Sequence, residues 1–132
     1  MNDSKPQWVI DKVKLAVSHF LQANPEKAAR EVTIACFGLA FKPDIDDLRE
    51  SPAMAIAQQI SGIHLGRTLA VEPNIEELPA KLVGKLQLIN AEQALVEADI
   101  VVLLVDHKSF KDIQAIQFEK KEVIDSRGIW TI

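Results

Sequence analysis

The chain has 132 residues, of which 48% are hydrophobic and 26% are charged, a balance typical of one globular domain with a buried core. The formal net charge of −4 argues against a protein that coats nucleic acid or an anionic membrane surface. The single cysteine, Cys36, excludes an internal disulfide and indicates a reducing, cytoplasmic setting. Residues 1–7 are polar, and no apolar run approaches about 20 residues, so the sequence predicts neither a secretory signal nor a membrane span.

Apolar residues at helical spacing and suitable capping residues predict three clear helices. The first carries its apolar residues at Val9, Val13, Ala16, Val17, Phe20 and Leu21, and closes at Asn24-Pro25. The second begins with Ser51 as N-cap and Pro52 in the first position, and it ends near Gly62. The third covers 91–98 after Asn90, and weaker patterns predict short helices at 75–82 and 108–116.

Five apolar runs alternate with these helices and predict strands. They lie at 32–37, 68–72, 86–89, 100–105 and 122–125. The run 100–105 is apolar throughout, as expected for a central parallel strand that is covered on both faces. The alternation predicts an α/β fold class, a three-layer α/β/α sandwich with a mostly parallel sheet of about five strands and a Rossmann-like architecture.

The clearest functional signal is the segment 38–52, which joins the first strand to the second helix. Such connections normally take only about 2–6 residues, and they lie at the sheet edge where open α/β proteins bind ligands. The segment begins with Gly38, which would let the backbone approach a ligand closely. It also carries an aromatic residue, Phe41, and two cations, Lys42 and Arg49. These residue types suit an anionic ligand with a flat ring.

Each of these residues also has a local explanation. Lys42 and Arg49 have acidic neighbours with which they could form surface ion pairs, namely Asp44, Asp46, Asp47 and Glu50. Phe41 could equally be a hydrophobic core residue. Surface pairing explains neither the length of the segment nor the glycine at its start, so both readings stay open.

Three further residues stand out near the ends of predicted strands. Cys36 lies inside a strand, which favours a small hydrophobic role over a reactive thiol. His107 follows the fourth strand, but no second ligand stands at a suitable spacing, so no metal site is expected. Arg127 follows the last strand at the same edge, where it either contacts a ligand or is an ordinary surface arginine.

The sequence argues against dinucleotide binding by this chain. The first strand is followed by a single glycine, Gly38, instead of the Gly-x-Gly-x-x-Gly cradle for a pyrophosphate. Glu72 ends the second strand, where a ribose-binding carboxylate would stand. Its distance from Gly38 exceeds the spacing of about 20 residues that is usual for that fingerprint.

The motif Gly38-x-x-Phe41-Lys42, followed by Asp47-x-Arg49-x-Ser51-Pro52, resembles the signature that opens the C-terminal, UDP-binding domain of the UDP-glucose/GDP-mannose dehydrogenase family. The resemblance extends to Glu72-Pro73, Ala98-Asp99, Asp106-His107 and Asp125-Ser-Arg127-Gly128. Residues 1–25 look like the end of the family's interdomain helix and its linker, and 26–132 look like the UDP-sugar-binding domain.

Within that family, residues 35–43 and 45–54 look most like the UDP-N-acetyl-D-mannosamine 6-dehydrogenases. The resemblance implies an oxidoreductase of the surface-polysaccharide pathways, such as that of enterobacterial common antigen. Such enzymes oxidise the sugar C6 alcohol to a carboxylate with two NAD+ molecules, through a cysteine thiohemiacetal. The NAD-binding domain, the central domain and the catalytic residues lie N-terminal to the matched region. The resemblance therefore implies no catalytic residue and no cofactor for this chain alone.

What carries over to this chain is substrate binding. Phe41 and Lys42 match nucleotide-sugar contacts of the family, and Arg127 matches a late arginine that reaches the substrate. The supporting signature positions are Gly38, Asp47, Arg49 and Ser51. Of these, Arg49 would tie the acidic loop together and Ser51 would cap the helix.

The expected protein is thus the UDP-sugar-binding part of a longer enzyme, inactive by itself. It retains little of the central helix through which the family dimerises, so we expect a monomer or weak dimer. Two alternatives stay open: a stand-alone nucleotide-sugar-binding protein, and a structural module that completes a dimer without catalysis.

Overall fold

The computed structural model describes residues 4–40, 51–127 and 129–130. Its α-helices within this range are α1 (Ser4–Ala23), α2 (Pro52–Ile63) and α3 (Ala91–Glu97). Its strands are β1 (Ile34–Phe37), β2 (Thr68–Val71), β3 (Gln87–Leu88), β4 (Ile100–Leu103) and β5 (Glu122–Asp125). Short 3-10 turns occupy 29–31, 80–82, 108–112 and 115–118.

The five strands form one parallel sheet in the order β3-β2-β1-β4-β5. Strand β1 lies at the centre, with Ile34 beside Thr68 of β2 on one side and Ile100 of β4 on the other. Every residue of β1, β2 and β4 is buried, which confirms the expectation of central strands covered on both faces. The strand order reverses between β1 and β4, and the crevice at such a point is where α/β sheets bind ligands.

Two hydrophobic cores, one on each face of the sheet, confirm the three-layer architecture. Helices α1 and α2 cover the first face, and their buried residues pack there with Cys36 and Ile100. On the second face α3 and the 3-10 turns at 108–112 and 115–118 pack with Phe37. The Phe37 ring makes edge-to-face contacts with Phe110 and Trp130, at centroid distances of 5.2 and 5.8 Å.

Helix α1 belongs physically to the first core. Its inward face is fully buried against the sheet and α2, through Val9, Ile10, Val13, Ala16 and Phe20. The helix ends at Ala23 because the next residue, Asn24, turns back and bonds to the Phe20 carbonyl through both its backbone and its side chain, each at 2.9 Å. No helix in the described ranges combines the length and apolar character that crossing a membrane requires.

Two predicted helices are wrong. The region 75–82 contains only a 3-10 turn at Ala80–Leu82, because Pro79 lacks an N–H and restricts the residue before it. The region 108–116 divides into two 3-10 turns, Lys108–Asp112 and Ala115–Phe118, separated by extended backbone at Ile113 and Gln114. This break lets Phe110 and Phe118 enter the same core. Four strands are also shorter than predicted, by one or more residues at their ends.

The burial of Cys36 predicts an inert thiol whose polarity matters for stability. Burial raises the pKa of the Cys36 thiol to about 12, so we expect negligible reaction with a thiol-specific disulfide reagent until the protein is unfolded. Cys36→Ser should lower the free energy of unfolding by about 1–3 kcal/mol, because it buries a hydroxyl among apolar groups. Urea unfolding measures this loss, with Cys36→Ala as the control that removes the sulfur without adding a polar group. Rapid labelling of the folded protein would contradict the prediction.

Candidate functional site

The candidate site begins where the chain leaves β1. Gly38 has a φ of +100°, and its N–H still donates to the Val71 carbonyl of β2 at 2.8 Å. A Cβ atom at this position would lie 2.6 Å from the Val105 Cβ and 2.8 Å from the Val105 backbone nitrogen. Glycine is therefore required both for the left-handed backbone and for space. The close approach that the structure shows is to Val105, after β4.

A buried carboxylate holds the residues that follow Gly38. Glu72 comes directly after β2 and is only 3% exposed. Its Oε1 atom accepts hydrogen bonds from the N–H groups of Leu39 at 2.8 Å and Ala40 at 3.0 Å. Its Oε2 atom accepts from the backbone N–H and side-chain amide of Asn74, at 3.1 and 3.0 Å. The carboxylate thus ties the ends of β1 and β2 together.

His107 completes this arrangement from β4. Its side chain is fully buried, and Nε2 lies 2.8 Å from the Oε1 atom of Glu72. An ionised carboxylate only accepts hydrogen bonds, so Nε2 carries the proton in this contact. The imidazole packs edge-on against Phe110, with a centroid distance of 5.3 Å. Because β1 lies between β2 and β4, the Glu72–His107 pair spans the end of β1.

The electrostatics of Glu72 follow from these contacts. Burial raises the pKa of this carboxyl. The hydrogen bond from His107 and those from the Leu39 and Asn74 N–H groups lower it by more, so its pKa lies below the ordinary value of 4.5. Glu72 is therefore a carboxylate at neutral pH in spite of its burial.

Ser51 marks the other end of the long segment. Its Oγ accepts a hydrogen bond from the Met54 N–H at 3.2 Å, which confirms Ser51 as the N-cap of α2, with Pro52 in the first turn. The same Oγ donates to the Leu39 carbonyl at 2.6 Å. Leu39 and Ser51, near the two ends of the segment 38–52, are therefore bonded to each other.

Four of the predicted site residues, Phe41, Lys42, Asp47 and Arg49, fall in 41–50, outside the described residues. Their roles stay predictions.

Arg127 lies at the same sheet edge, after β5. Its Nε donates to the Leu104 carbonyl at 3.1 Å, and its backbone N–H donates to the Asp125 carboxylate at 2.9 Å. The neighbouring Ser126 hydroxyl donates to the Leu103 carbonyl at 2.6 Å. These bonds place an exposed guanidinium group beside the end of β4, on the opposite side of β1 from Glu72.

An open cleft of about 670 Å³ lies on the β2–β3 side of this edge. Its walls are mainly apolar, formed by Val71, Ile75, Leu88, Ile89, Ala91 and Phe110, with Glu72, Asn90, Glu92 and Ser109 among its polar residues. Gly38, Ser51 and Arg127 do not line it. Among the described residues, no group of three or more His, Cys, Asp or Glu side chains is placed to bind a metal.

What sequence reasoning missed is the Glu72–His107 pair. The two residues are 35 positions apart, and neither belongs to a periodic pattern. A signal does exist: Glu72 ends one predicted parallel strand and His107 follows another, and the carboxyl ends of such strands meet at one edge.

Comparison with known proteins identifies the relatives of this arrangement. Residues 35–132 match the profile described as UDP-glucose/GDP-mannose dehydrogenase family, UDP binding domain. The UDP-N-acetyl-D-mannosamine dehydrogenase of Escherichia coli is 55% identical over 130 residues, which are 98% of this chain and 31% of that protein. An NDP-N-acetyl-D-galactosaminuronic acid dehydrogenase of Ralstonia nicotianae is 50% identical over 131 residues, or 99% of this chain and 29% of that protein.

Among solved structures, a UDP-N-acetyl-mannosamine dehydrogenase from S. aureus matches with a TM-score of 0.70 and 26% identity, covering 98% of this chain and 29% of that chain. The chain thus spans less than a third of the length of these relatives.

The geometry at Gly38 predicts that no side chain is tolerated there. Gly38→Ala should lower the free energy of unfolding by about 2 kcal/mol or more, from left-handed backbone strain and the contact with Val105. Gly62→Ala is the matched control: it lies in α2 with no atom within 4 Å of the added Cβ, and it should stabilise by about 0.5–1 kcal/mol. Urea unfolding of both variants checks this, and equal effects would contradict the prediction.

The lowered pKa of Glu72 predicts a specific acid sensitivity. The folded-state pKa lies below the ordinary value of 4.5, so the stabilisation by this carboxylate is complete above that value and is lost as the pH falls through the folded-state pKa. In Glu72→Gln, the free energy of unfolding should be lower at neutral pH and should fall less steeply on acidification. Urea unfolding between neutral and acidic pH measures both slopes. Parallel slopes in wild type and variant would show that Glu72 does not titrate abnormally.

Proposed function

The chain belongs to the UDP-glucose/GDP-mannose dehydrogenase family, and we propose that it is the part of an NAD-dependent nucleotide-sugar 6-dehydrogenase that holds UDP-N-acetyl-D-mannosamine. One observation carries the proposal. Leu39 and Ser51, which stand before and after Phe41 and Lys42 in the chain, are bonded to each other, and Leu39 and Ala40 are bonded to Glu72 at the carboxyl edge of the sheet. Arg127 stands at the same edge, bonded to the end of β4.

The proposed binding chemistry follows from these residue types. The diphosphate of UDP carries negative charge, which Lys42 and Arg127 meet with charged N–H donors. A guanidinium can bind two phosphate oxygens at once, whereas an ammonium acts as a point charge. Phe41 supplies apolar contact to the flat uracil ring. Asp47 and Arg49 support the segment in this proposal, and Ser51 caps α2.

The described residues do not fit NAD+. A dinucleotide site needs a glycine-rich turn for the pyrophosphate and a carboxylate for the ribose hydroxyls. Here one glycine follows β1, and both oxygens of the carboxylate after β2 already accept hydrogen bonds within the chain. We therefore place NAD binding and the catalytic nucleophile in the parts of the relatives that this chain does not cover. When bound there, two NAD+ molecules in succession would each accept one hydride from the sugar C6, as oxidation of an alcohol to a carboxylate requires.

Further parts of the proposal concern the product, the location, the domain boundaries and the state of the chain by itself. The product would be the corresponding uronic acid for surface polysaccharides such as enterobacterial common antigen. A cytoplasmic location is proposed because the single cysteine is buried as a free thiol. Residues 1–25 would be the end of an interdomain helix and its linker, and 26–132 the UDP-sugar-binding domain. By itself the chain would be inactive, and a monomer or weak dimer.

A second substrate is favoured by one observation. The Ralstonia relative named for N-acetyl-D-galactosaminuronic acid is almost as similar as the Escherichia coli one, at 50% against 55% identity. An N-acetylated UDP-sugar of the galacto series is therefore the alternative ligand to compare.

Lys42→Ala tests the proposed site. It should weaken UDP binding about tenfold or more, as expected for a lost hydrogen bond to a charged group, and leave the melting temperature nearly unchanged. Titration calorimetry or NMR on this chain measures binding of UDP, UDP-N-acetylmannosamine and NAD+ in parallel. Lys14→Ala, an exposed position on α1, is the charge-matched control and should bind as wild type.

The remaining outcomes distinguish the alternatives. A large loss of stability in Lys42→Ala would favour surface ion pairing within the segment. Binding of NAD+ but not UDP would overturn the proposal. Binding of none of the three ligands would favour a structural module, and catalysis by this chain alone would refute the assignment of the nucleophile to a missing part.

A further inference from the structure

We propose that Glu72 and His107 are positioning residues for nucleotide binding. They fix the backbone of Leu39 and Ala40, from which the segment bearing Phe41 and Lys42 begins. The inference rests on the proposed function, because it concerns the geometry in which that segment meets its ligand.

The donor count shows why a carboxylate is needed at position 72. Five contacts converge on it: two from the backbone N–H groups of Leu39 and Ala40, two from Asn74, and one from the His107 imidazole. All five are hydrogen-bond donors, and only an ionised carboxylate accepts at both oxygens. A glutamine would turn an N–H₂ group towards donors on one side, whichever way its amide is oriented.

The pair is almost completely buried, and both oxygens of Glu72 already accept hydrogen bonds within the chain. Glu72 and His107 have relative exposures of 3% and 0%, and Phe110 closes the far side of the imidazole. A buried pair that contains a charge is weak support for stability, since desolvation of the carboxylate offsets the attraction, and its best-attested role is to select one conformation. Here the conformation selected is that of the chain immediately after β1.

Leu39 is fixed in both directions. Its N–H donates to Glu72, and its carbonyl accepts from the Ser51 hydroxyl. Loss of the carboxylate would therefore loosen the start of the segment and, through Leu39, its bond to the N-cap of α2. The expected consequence is a poorly placed Phe41–Lys42 pair on an otherwise intact sheet.

The experiment compares UDP binding in variants of this chain. His107→Leu removes the donor, whereas His107→Gln retains an N–H near the position of Nε2 and serves as the rescue. Glu72→Gln and His107→Leu should weaken UDP binding about tenfold, in proportion to a lost charge-assisted bond. The UDP affinity of His107→Gln should stay within about twofold of wild type. The control is a variant of Ile100, at the far end of β4, whose UDP affinity should also stay within about twofold, since distant core changes act independently. Of Ile100→Val and Ile100→Ala, the control used is the one whose loss in melting temperature matches that of His107→Leu.

Amide hydrogen exchange supplies a readout that does not depend on the ligand. In Glu72→Gln the Leu39 and Ala40 amides should exchange about tenfold faster, while the Ile34 amide, bonded to the Arg67 carbonyl at the opposite edge, should not change.

The outcomes separate the two proposals. Equal UDP affinity in His107→Leu and the stability-matched Ile100 variant would overturn the positioning role, as would unchanged exchange at Leu39 and Ala40. If wild-type protein does not bind UDP, the proposed function fails, and hydrogen exchange alone decides whether the pair fixes the segment. Should Glu72→Gln not fold, the two His107 variants decide both questions.

Discussion

The hydrogen bonds of the Glu72 carboxylate hold together the edge of the sheet at which β1, β2 and β4 end. Strands β1, β2 and β4 end side by side, and the N–H groups of Leu39 and Ala40 leave the sheet ladder in the interior, where an unpaired donor is costly. One buried carboxylate accepts both of them. Because Glu72 follows β2 and is hydrogen-bonded to His107 after β4, its carboxylate connects the ends of all three strands.

The backbone conformation of Gly38 makes the hydrogen bonds from Leu39 and Ala40 to Glu72 possible. Its left-handed backbone turns the chain away from β4, where Val105 fills the space that a Cβ would need. The following two N–H groups then face Glu72 instead of continuing along the strand. The carboxylate and the glycine depend on each other. With a side chain at position 38 the backbone could not turn, and with no acceptor at position 72 the turned N–H groups would lose their partner.

Features set by neighbouring residues could be predicted from the sequence, and features set by contacts across the fold could not. The Ser51 and Asn90 caps are confirmed because capping is a local interaction between a side chain and the N–H groups of the next turn. The predicted helix at 75–82 is wrong because Pro79 outweighs the apolar spacing. The Glu72–His107 contact joins two strands that are not adjacent in the chain, and no periodicity encodes such a pairing. The position of Arg127 at the carboxyl edge of the sheet could be predicted, because it follows from strand direction alone. Its bond to Leu104 depends on the packing of β5 against β4.

The same hydrogen bonds bring together the described residues on the two sides of 41–50. Leu39 bonds to Glu72 through its N–H and to Ser51 through its carbonyl, so the end of β1 and the start of α2 meet at one fixed point. Loops held in this way by a rigid scaffold can change their sequence while the elements they connect stay in place. A Rossmann-like sheet serves many ligands, and function resides in the residues added to it. In this chain both oxygens of the carboxylate after β2 accept hydrogen bonds within the chain, and the proposed function therefore assigns ligand binding to Phe41, Lys42 and Arg127.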